Sequence, residues 1–204
     1  MFDGIIDVSH FNAIDLPAAK SAGMVAVIHK ATQGATFQDP LYASRKALAS
    51  QLGLLWGAYH FGTAAPVDQQ LRNFADTAQL GAGDLAALDY ESNPGDQMSL
   101  SQAEEFVTLF RQQFGYSPLI YGSDLLVAAA AQGTSSLSDC NLWIAEYAAV
   151  AQPTIPTLFS SYTLWQFTDG TAPTPLQTAG VAVDRDRFNG TQQELTAGWP
   201  FRKT

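Results

Sequence analysis

Short apolar segments alternate with helical segments along most of the chain, and this alternation constrains the fold more than any other feature. Strands are predicted at residues 4–9, 24–30, 54–61, 84–91 and 118–122. A segment with helical spacing of apolar residues follows each of them, at residues 14–22, 41–51, 67–80, 100–114 and 124–132. Repeated strand–helix units imply parallel strands that are joined by right-handed crossovers.

The alternation of strands and helices stops in the last third of the chain. Three more strands are predicted at residues 141–146, 163–167 and 180–184, and the segments between them are rich in Pro, Thr, Ser and Gly without a helical period. Eight strands with about five outer helices predict an α/β protein with an irregular (β/α) barrel of mostly parallel strands. An open doubly wound sheet is the alternative, and residues 1–204 are expected to form a single domain.

Composition excludes several classes of partner. Nineteen acidic residues against ten Lys and Arg give a net charge of -9, so neither nucleic acid nor an anionic membrane is an expected partner. The single cysteine, Cys140, forbids an internal disulfide. No glycine-rich phosphate-binding motif follows any strand, and we therefore expect no nucleotide cofactor.

The start of the chain lacks the marks of an export signal. Residues 1–4 contain neither a basic region nor the beginning of an apolar one, and the longest run of small apolar residues, 127–131, is too short to cross a bilayer. We therefore expect a monomer that is made in the cytoplasm without a signal peptide and does not insert into membranes.

Two carboxylates close the fourth predicted strand. Residues 84–91 carry a short apolar segment directly into Asp89 and Glu91. Side chains alternate in a strand, so these two acids share one face while Tyr90 points to the other. A turn signal at residues 93–95 places both acids at the carboxyl end of the strand, where barrels hold their active sites. A solvated strand end is the alternative for the pair taken alone.

Other polar and aromatic residues fall at or just beyond the strand ends. Carboxylates perform acid–base work and bind hydroxyls, and flat rings stack on sugars, so the combination indicates a sugar-binding cleft. The three histidines, His10, His29 and His60, are dispersed, and a metal site is not expected, although Asp7 and His10 form a local pairing. The candidate site residues are Asp7, Lys30, Tyr59, His60, Asp89, Glu91, Tyr121, Glu146, Trp165, Gln166 and Asp184.

The motifs of this chain resemble those of the glycoside hydrolase family 25 lysozymes, in the same order and over nearly the whole length. They lie at residues 4–10, 29–34 with 39–40, 57–61, 88–91, 142–146, 164–166 and 183–190. The resemblance implies an irregular barrel that needs no cofactor and hydrolyses the β-1,4 bond between N-acetylmuramic acid and N-acetylglucosamine. Its partner would be the glycan strands of peptidoglycan.

The resemblance also implies roles for individual residues. The catalytic acids would be Asp7, Asp89, Glu91 and Asp184, and the substrate would contact Lys30, Tyr59, Phe61, Tyr121, Trp143, Glu146, Trp165 and Gln166. The chain departs from the family pattern in two places that matter below. Glu146 stands where Arg is usual, and the last motif, Asp184-Arg-Asp186, contains an unusual second acid.

The spacing of Asp89 and Glu91 suggests that the two acids have different roles. Glu91 is nearer the strand end and longer, which suits a general acid. Asp89 lies only about 6.6 Å along the same strand, so it suits a charge that orients the 2-acetamido group of the substrate. An inverting route, with Asp184 or Asp7 as base, stays open. Because Asp7 and Asp184 end the first and last strands, we expect them in the pocket of Glu91, whose pKa should be raised.

Two other functions remain compatible with the sequence. A catalytically inactive sugar-binding barrel would use the same cleft, and a metal-dependent polysaccharide deacetylase would use Asp7, His10 and a further histidine. The biological setting is equally open: a phage endolysin, an injected toxin with a cognate inhibitor or immunity protein, and a cell-wall remodelling enzyme all fit. In each, the protein would act on the cell wall or in the periplasm after pore-dependent release or dedicated secretion.

Overall fold

Eight strands close into a barrel, as the alternation of segments predicts, in a computed structural model that describes residues 1–170 and 183–204. A ninth, two-residue strand pairs with the edge of β2. The strands are β1 (Phe2–Val8), β2 (Ala26–Gln33), β3 (Phe37–Gln38), β4 (Leu55–Phe61), β5 (Leu85–Asp89), β6 (Leu119–Gly122), β7 (Asn141–Ala145), β8 (Leu164–Thr168) and β9 (Asp184–Phe188).

Within the described residues, five helices lie between successive strands and a sixth follows the last strand. They are α1 (Leu16–Ser21), α2 (Tyr42–Leu52), α3 (Val67–Ala78), α4 (Leu100–Phe114), α5 (Asp124–Ala131) and α6 (Gln192–Gly198), with a 3-10 turn at Ser136–Asp139. The first five match the predicted helices, and Ser99 caps α4 through a capping box with Gln102. None of the helices in the described residues is long and apolar enough to cross a membrane.

The order of strands around the barrel is β1, β2, β4, β5, β6, β7, β8 and β9, and pairing of β9 with β1 closes the ring. The pairs from β1–β2 to β7–β8 are all parallel. β9 is antiparallel to both of its neighbours, β8 and β1. The barrel is therefore mixed, and the alternative of an open sheet is wrong.

The last strand does not occupy the predicted range, and it runs antiparallel to its neighbours. A strand at residues 180–184 was expected to end at Asp184, but residues 180–182 lie outside the described part and the observed strand begins at Asp184. A parallel strand would first need a crossover back to the opposite end of the barrel. β9 instead starts at the rim where β8 ends, which leaves Asp184 at the carboxyl ends of the parallel strands.

Two apolar layers hold the molecule together. The outer layer, between helices and barrel, includes Phe74, Phe106 and Phe110, and Tyr90 and Trp165 also belong to it. The inner layer fills the barrel with alternate residues of the strands: Ile5, Ile28, Leu85, Leu119, Leu164 and their neighbours. Alternate residues of one strand face opposite layers. The polar residues on the inner face near the carboxyl ends of the strands therefore lie side by side, directly above the apolar inner layer.

We expect Gly122→Ala to destabilise the protein by about 1–3 kcal/mol, the usual cost of overpacking. An added Cβ would lie 2.5 Å from the carbonyl oxygen of Tyr90, which is a backbone atom and has no rotamer by which to move away. Gly83→Ala is the matched control, because nothing lies within 4 Å of the Cβ it adds. Denaturant unfolding measures both, and equal midpoints for the two variants would contradict the expected strain.

Candidate active site

Four carboxyl groups converge at the carboxyl-end rim of the barrel. Asp7 lies near the end of β1, Asp89 is the last residue of β5, and Glu91 follows two residues later. Asp184 is the first residue of β9 and pairs directly with Asp7 across the antiparallel ladder. The expectation that Asp7 and Asp184 lie in one pocket is therefore confirmed, with Asp184 at the start of its strand and not at the end.

The side-chain amide of Gln166 lies on one side of this pocket and bonds to both Asp7 and Asp184. Its Nε2 donates to Asp7 Oδ2 at 2.8 Å and to Asp184 Oδ2 at 3.4 Å. Its Oε1 accepts a hydrogen bond from Tyr121 Oη at 2.7 Å and another from Tyr147 Oη. Since an amide has distinct donor and acceptor ends, these bonds fix the orientation of Gln166 and of both carboxylates.

Lys30 lies on the other side of the pocket, near Asp89 and Glu91. Its Nζ donates to Gln33 Oε1 at 2.6 Å and lies 4.6 Å from the centroid of the Phe61 ring. Burial lowers the pKa of Lys30, and the nearby charges of Asp89 and Glu91 act against that shift. Lys30 in turn lowers the pKa of both acids, against the effect of their burial.

Burial dominates the ionisation of the acids. It raises the pKa of Asp7 and of Asp89 well above the ordinary value, and repulsion from neighbouring carboxylates adds to both shifts. Burial also raises the pKa of Glu91, while Lys30 opposes the rise. Asp184 has a pKa raised to about 6 by burial and by Asp169 and Glu91. The rise expected for Glu91 is present, but it extends to the whole cluster.

Two aromatic candidates line the inner layer below the acids. Burial and the surrounding carboxylates raise the pKa of Tyr59 well above its usual value, so its hydroxyl stays protonated. Trp143 is buried in the barrel, and its Nε1 donates to Asp186 Oδ1 at 2.6 Å. Trp143 thus supports the floor of the pocket, one layer away from the opening.

Three candidates lie away from the acids. Trp165 packs in the outer layer, and its Nε1 donates to the carbonyl oxygen of Glu146 at 2.8 Å. The Glu146 carboxylate accepts a hydrogen bond from the backbone N–H of Thr154 at 2.6 Å. His60 is buried behind the barrel wall, where Nδ1 lies 2.7 Å from Thr32 Oγ1 and the ring stacks on Phe106 at 5.1 Å. Their bonds stabilise the scaffold around the site.

Two residues of the site were not among the candidates from the sequence. Tyr147, which bonds to Gln166, comes two residues after β7 and is exposed, so no strand pattern marks it. Asp186 is fully buried in the barrel interior. Its position two residues after Asp184 could have indicated it, because both then share one face of a strand.

The histidines do not gather around the acids. His10 Nδ1 lies 2.8 Å from Asp39 Oδ2, and His29 Nε2 lies 3.1 Å from Arg45 Nη1. Within residues 1–170 and 183–204, no three His, Cys, Asp or Glu side chains are grouped so that they could hold a metal ion. The pairing of Asp7 with His10 considered from the sequence does not form, since His10 turns to Asp39.

Comparison with known proteins agrees with this geometry. The model of the family described as glycosyl hydrolases family 25 matches residues 6–173. Lysozyme M1 of Streptomyces globisporus is 28% identical over 212 residues, a match that covers 94% of this chain and 69% of that protein.

Solved structures show the same fold. The muramidase from Acremonium alcalophilum is 30% identical with a TM-score of 0.76, and the match covers 97% of this chain and 98% of that one. The family GH25 lysozyme from Aspergillus fumigatus is 28% identical with a TM-score of 0.77, covering 96% and 97% of the two chains. The barrel, the convergent acids and these matches together place the chain in glycosyl hydrolases family 25, as a glycoside hydrolase of the lysozyme type.

Proposed function

We propose that this lysozyme cleaves the β-1,4 bond between N-acetylmuramic acid and N-acetylglucosamine in peptidoglycan, with Glu91 as general acid and base. The observation that carries the proposal is the pairing of Asp89 and Glu91 beside Lys30, at the mouth of a barrel that raises the pKa of both acids. Such a pair retains a proton in weakly acidic solution, which general acid catalysis requires.

Glu91 suits the acid role by its position. It lies just beyond β5 and is partly exposed, whereas Asp89 is only 6% exposed. A sugar oxygen that enters the mouth therefore meets Glu91 before Asp89. As the glycosidic bond breaks, the Glu91 proton passes to the leaving oxygen, and the resulting carboxylate later removes a proton from the water that completes hydrolysis.

Asp89 suits a role in orienting the substrate. Its Oδ1 is buried and has no hydrogen-bond partner in the part of the chain that the structure describes. A carboxylate oxygen without a donor is a strong acceptor for the N–H of a substrate acetamido group. With that N–H held, the amide oxygen can attack the anomeric carbon from within the substrate, the assisted route known among glycosidases.

The inverting route uses the opposite side of the pocket. A pKa of about 6 leaves Asp184 ionised in neutral solution, so it could remove a proton from water. Asp7 is less suited to this task, because burial raises its pKa further and its Oδ2 is already bonded to Gln166. The two routes differ in whether the substrate needs its N-acetyl group.

We expect Glu91→Gln to lower kcat by at least 10²-fold, because the variant keeps the shape of the side chain and loses the proton that it transfers. Mass spectrometry of muropeptides released from purified peptidoglycan measures the loss, and the new reducing end identifies the bond that is cut. Glu105→Gln, an exposed change on α4, is the control and should retain full activity. More than a tenth of wild-type activity in Glu91→Gln would assign the acid role to another residue.

We further expect N-deacetylation of the muramic acid residues to lower kcat for the wild-type enzyme, because it removes the internal nucleophile. Loss of a simple binding contact would instead raise KM and leave kcat nearly unchanged. Asp89→Asn should lower kcat on native peptidoglycan and add little to the loss on the deacetylated polymer. An undiminished wild-type kcat on the deacetylated polymer would favour the inverting route with Asp184.

A further inference from the structure

A rigid turn beside the acid cluster exposes an aromatic side chain that the proposed reaction does not use. Phe11 follows β1 and is 82% exposed. The turn that carries it is closed by two bonds between Ser9 and Asn12: Ser9 N–H donates to Asn12 Oδ1 at 2.8 Å, and Asn12 N–H donates to the Ser9 carbonyl at 3.0 Å. Arg45 Nη1 adds a bond to the same carbonyl at 2.8 Å. The exposed ring is therefore held by a fixed backbone.

Further rings continue from Phe11 towards the acids. The His10 ring lies 3.9 Å from that of Phe11 and 5.4 Å from that of Phe37, measured between centroids. Asp39 fixes His10, because its Oδ2 accepts the backbone N–H of His10 at 2.9 Å and lies 2.8 Å from Nδ1. Phe37 is 37% exposed, and Lys30 Nζ lies 5.8 Å from its centroid.

Lys30 makes this surface continuous with the pocket. The same ammonium group contacts the Phe61 ring and interacts with Asp89 and Glu91. The three phenylalanines become more exposed outward, from the partly buried Phe61 through Phe37 to the open ring of Phe11. Aromatic rings on an ordered turn offer contact area with little loss of side-chain entropy on binding.

We propose that Phe11, His10 and Phe37 form an aromatic platform that binds a sugar ring of the glycan strand, beyond the two sugars that flank the cleaved bond. The platform rests on the proposed function, since its occupant is the polymer that the acids cut. The apolar face of a pyranose stacks on such rings, and the continuity through Lys30 places that sugar on the same strand.

We expect Phe11→Ala to raise KM about 3- to 10-fold on long glycan strands and to leave kcat unchanged. A disaccharide substrate, which supplies only the two sugars that flank the cleaved bond, should show no change in KM, and Phe11→Trp should restore tight binding to long strands. Val127→Ala, which also removes an exposed apolar side chain, is the control on α5.

Calorimetry on the Glu91→Gln protein, with and without Phe11→Ala, measures strand binding without turnover. Weaker binding only with Phe11→Ala supports the platform even if the assignment of the cleaved bond fails. Equal affinities for long strands, or an equal loss for long and short substrates, would overturn the platform and leave the proposed hydrolysis intact.

A second inference concerns Asp186, which has no role in the mechanism above. Asp186 is completely buried, and Trp143 donates to its Oδ1 at 2.6 Å. Its Oδ2 has no donor among the residues that the structure describes. In the ladder of β1 with β9, Asp186 stands opposite Ile5 and Asp184 stands opposite Asp7, so Asp186 lies diagonally across from Asp7 on the same face of the sheet.

The surroundings of Asp186 are acidic. β1 brings Asp3 and Asp7 near it, and β9 brings Asp184. The side chains that β7 and β8 contribute there, Trp143 and Gln166, are neutral. Arg185 pairs with Asp3 Oδ1 at 2.6 Å and does not bond to Asp186. Two carboxyl groups in contact without a cation between them do not both ionise.

We propose that Asp186 is a positioning residue that shares a single proton with Asp7, so that the pair carries one negative charge and the Asp7 carboxyl is held in one orientation. Burial raises the pKa of Asp186 to about 8 and that of Asp7 well above its ordinary value, which agrees with a retained proton. The apparent pKa values belong to the pair and not to either residue alone.

The sign of the pH effect on stability follows from these shifts. Between the ordinary pKa of an Asp near 4 and a raised value of about 8, the folded protein binds protons that the unfolded chain has released. Stability therefore decreases as pH rises through this range. Asp186→Asn keeps an acceptor for Trp143 and gives Asp7 a permanent N–H donor, so the variant should lose less stability than the wild type between pH 5 and 8.

Two measurements test the shared proton independently of catalysis. Denaturant unfolding at several pH values should show the flatter profile for Asp186→Asn, and infrared spectra at pH 7 should lose the carbonyl band of one neutral carboxylic acid. Parallel stability profiles with unchanged spectra would overturn the proposal. In kinetics, Asp186→Leu should lower kcat with little change in KM, and Asp186→Asn should restore most of it. Equal kcat values for the two variants would show that Asp186 does not position Asp7.

Discussion

The antiparallel pairing of β9 with β1 closes the barrel, and the site depends on it. This pairing sets Asp184 directly opposite Asp7 and brings Asp186 beside the same carboxyl group. It also completes the wall that keeps water away from the barrel interior. Without closure, these acids would lie on an open sheet edge, where solvent would remove the burial that raises their pKa values.

Closure of the barrel buries several acidic side chains close together. Neutral hydrogen-bond donors and one lysine offset part of the repulsion between them. Asp7, Asp89 and Asp186 are buried in a protein that already has a net charge of -9. Gln166 and Trp143 donate hydrogen bonds on one side of the pocket, and Lys30 supplies a positive charge on the other. Burial and the neighbouring carboxylates raise the pKa values of Asp7, Asp89 and Asp186, so these groups bind protons more readily than an exposed aspartate.

The two sides of the pocket have different physical characters. Near Lys30, a cation and the exposed end of Glu91 make the mouth open to substrate, and the aromatic surface from Phe61 to Phe11 continues from it. Near Gln166, Asp7, Asp184, Tyr121 and Tyr147 are each held by a hydrogen bond to its side-chain amide. Acid chemistry and substrate contact therefore suit the first side, whereas orientation and fixed charge suit the second.

The sequence by itself determined the local and periodic features. Strand–helix alternation predicted the barrel class and five helices, and the spacing of Asp89 and Glu91 predicted that they would share one face at the end of a strand. These features depend on side-chain periods of two and 3.6, which any single segment of the chain displays. The ordered motifs carried the family resemblance, because they follow the strand ends of that barrel.

Only the tertiary structure decided the direction of β9, the orientation of Trp165 and Glu146 away from the acids, and the placement of Asp186 diagonally across the strand ladder from Asp7. Each of these depends on which strand lies next to which, and β1 and β9 are separated by nearly the whole chain. Burial and the charges of distant residues then set the pKa values. No local pattern contains that information, because solvent exclusion and long-range pairing arise only when the barrel closes.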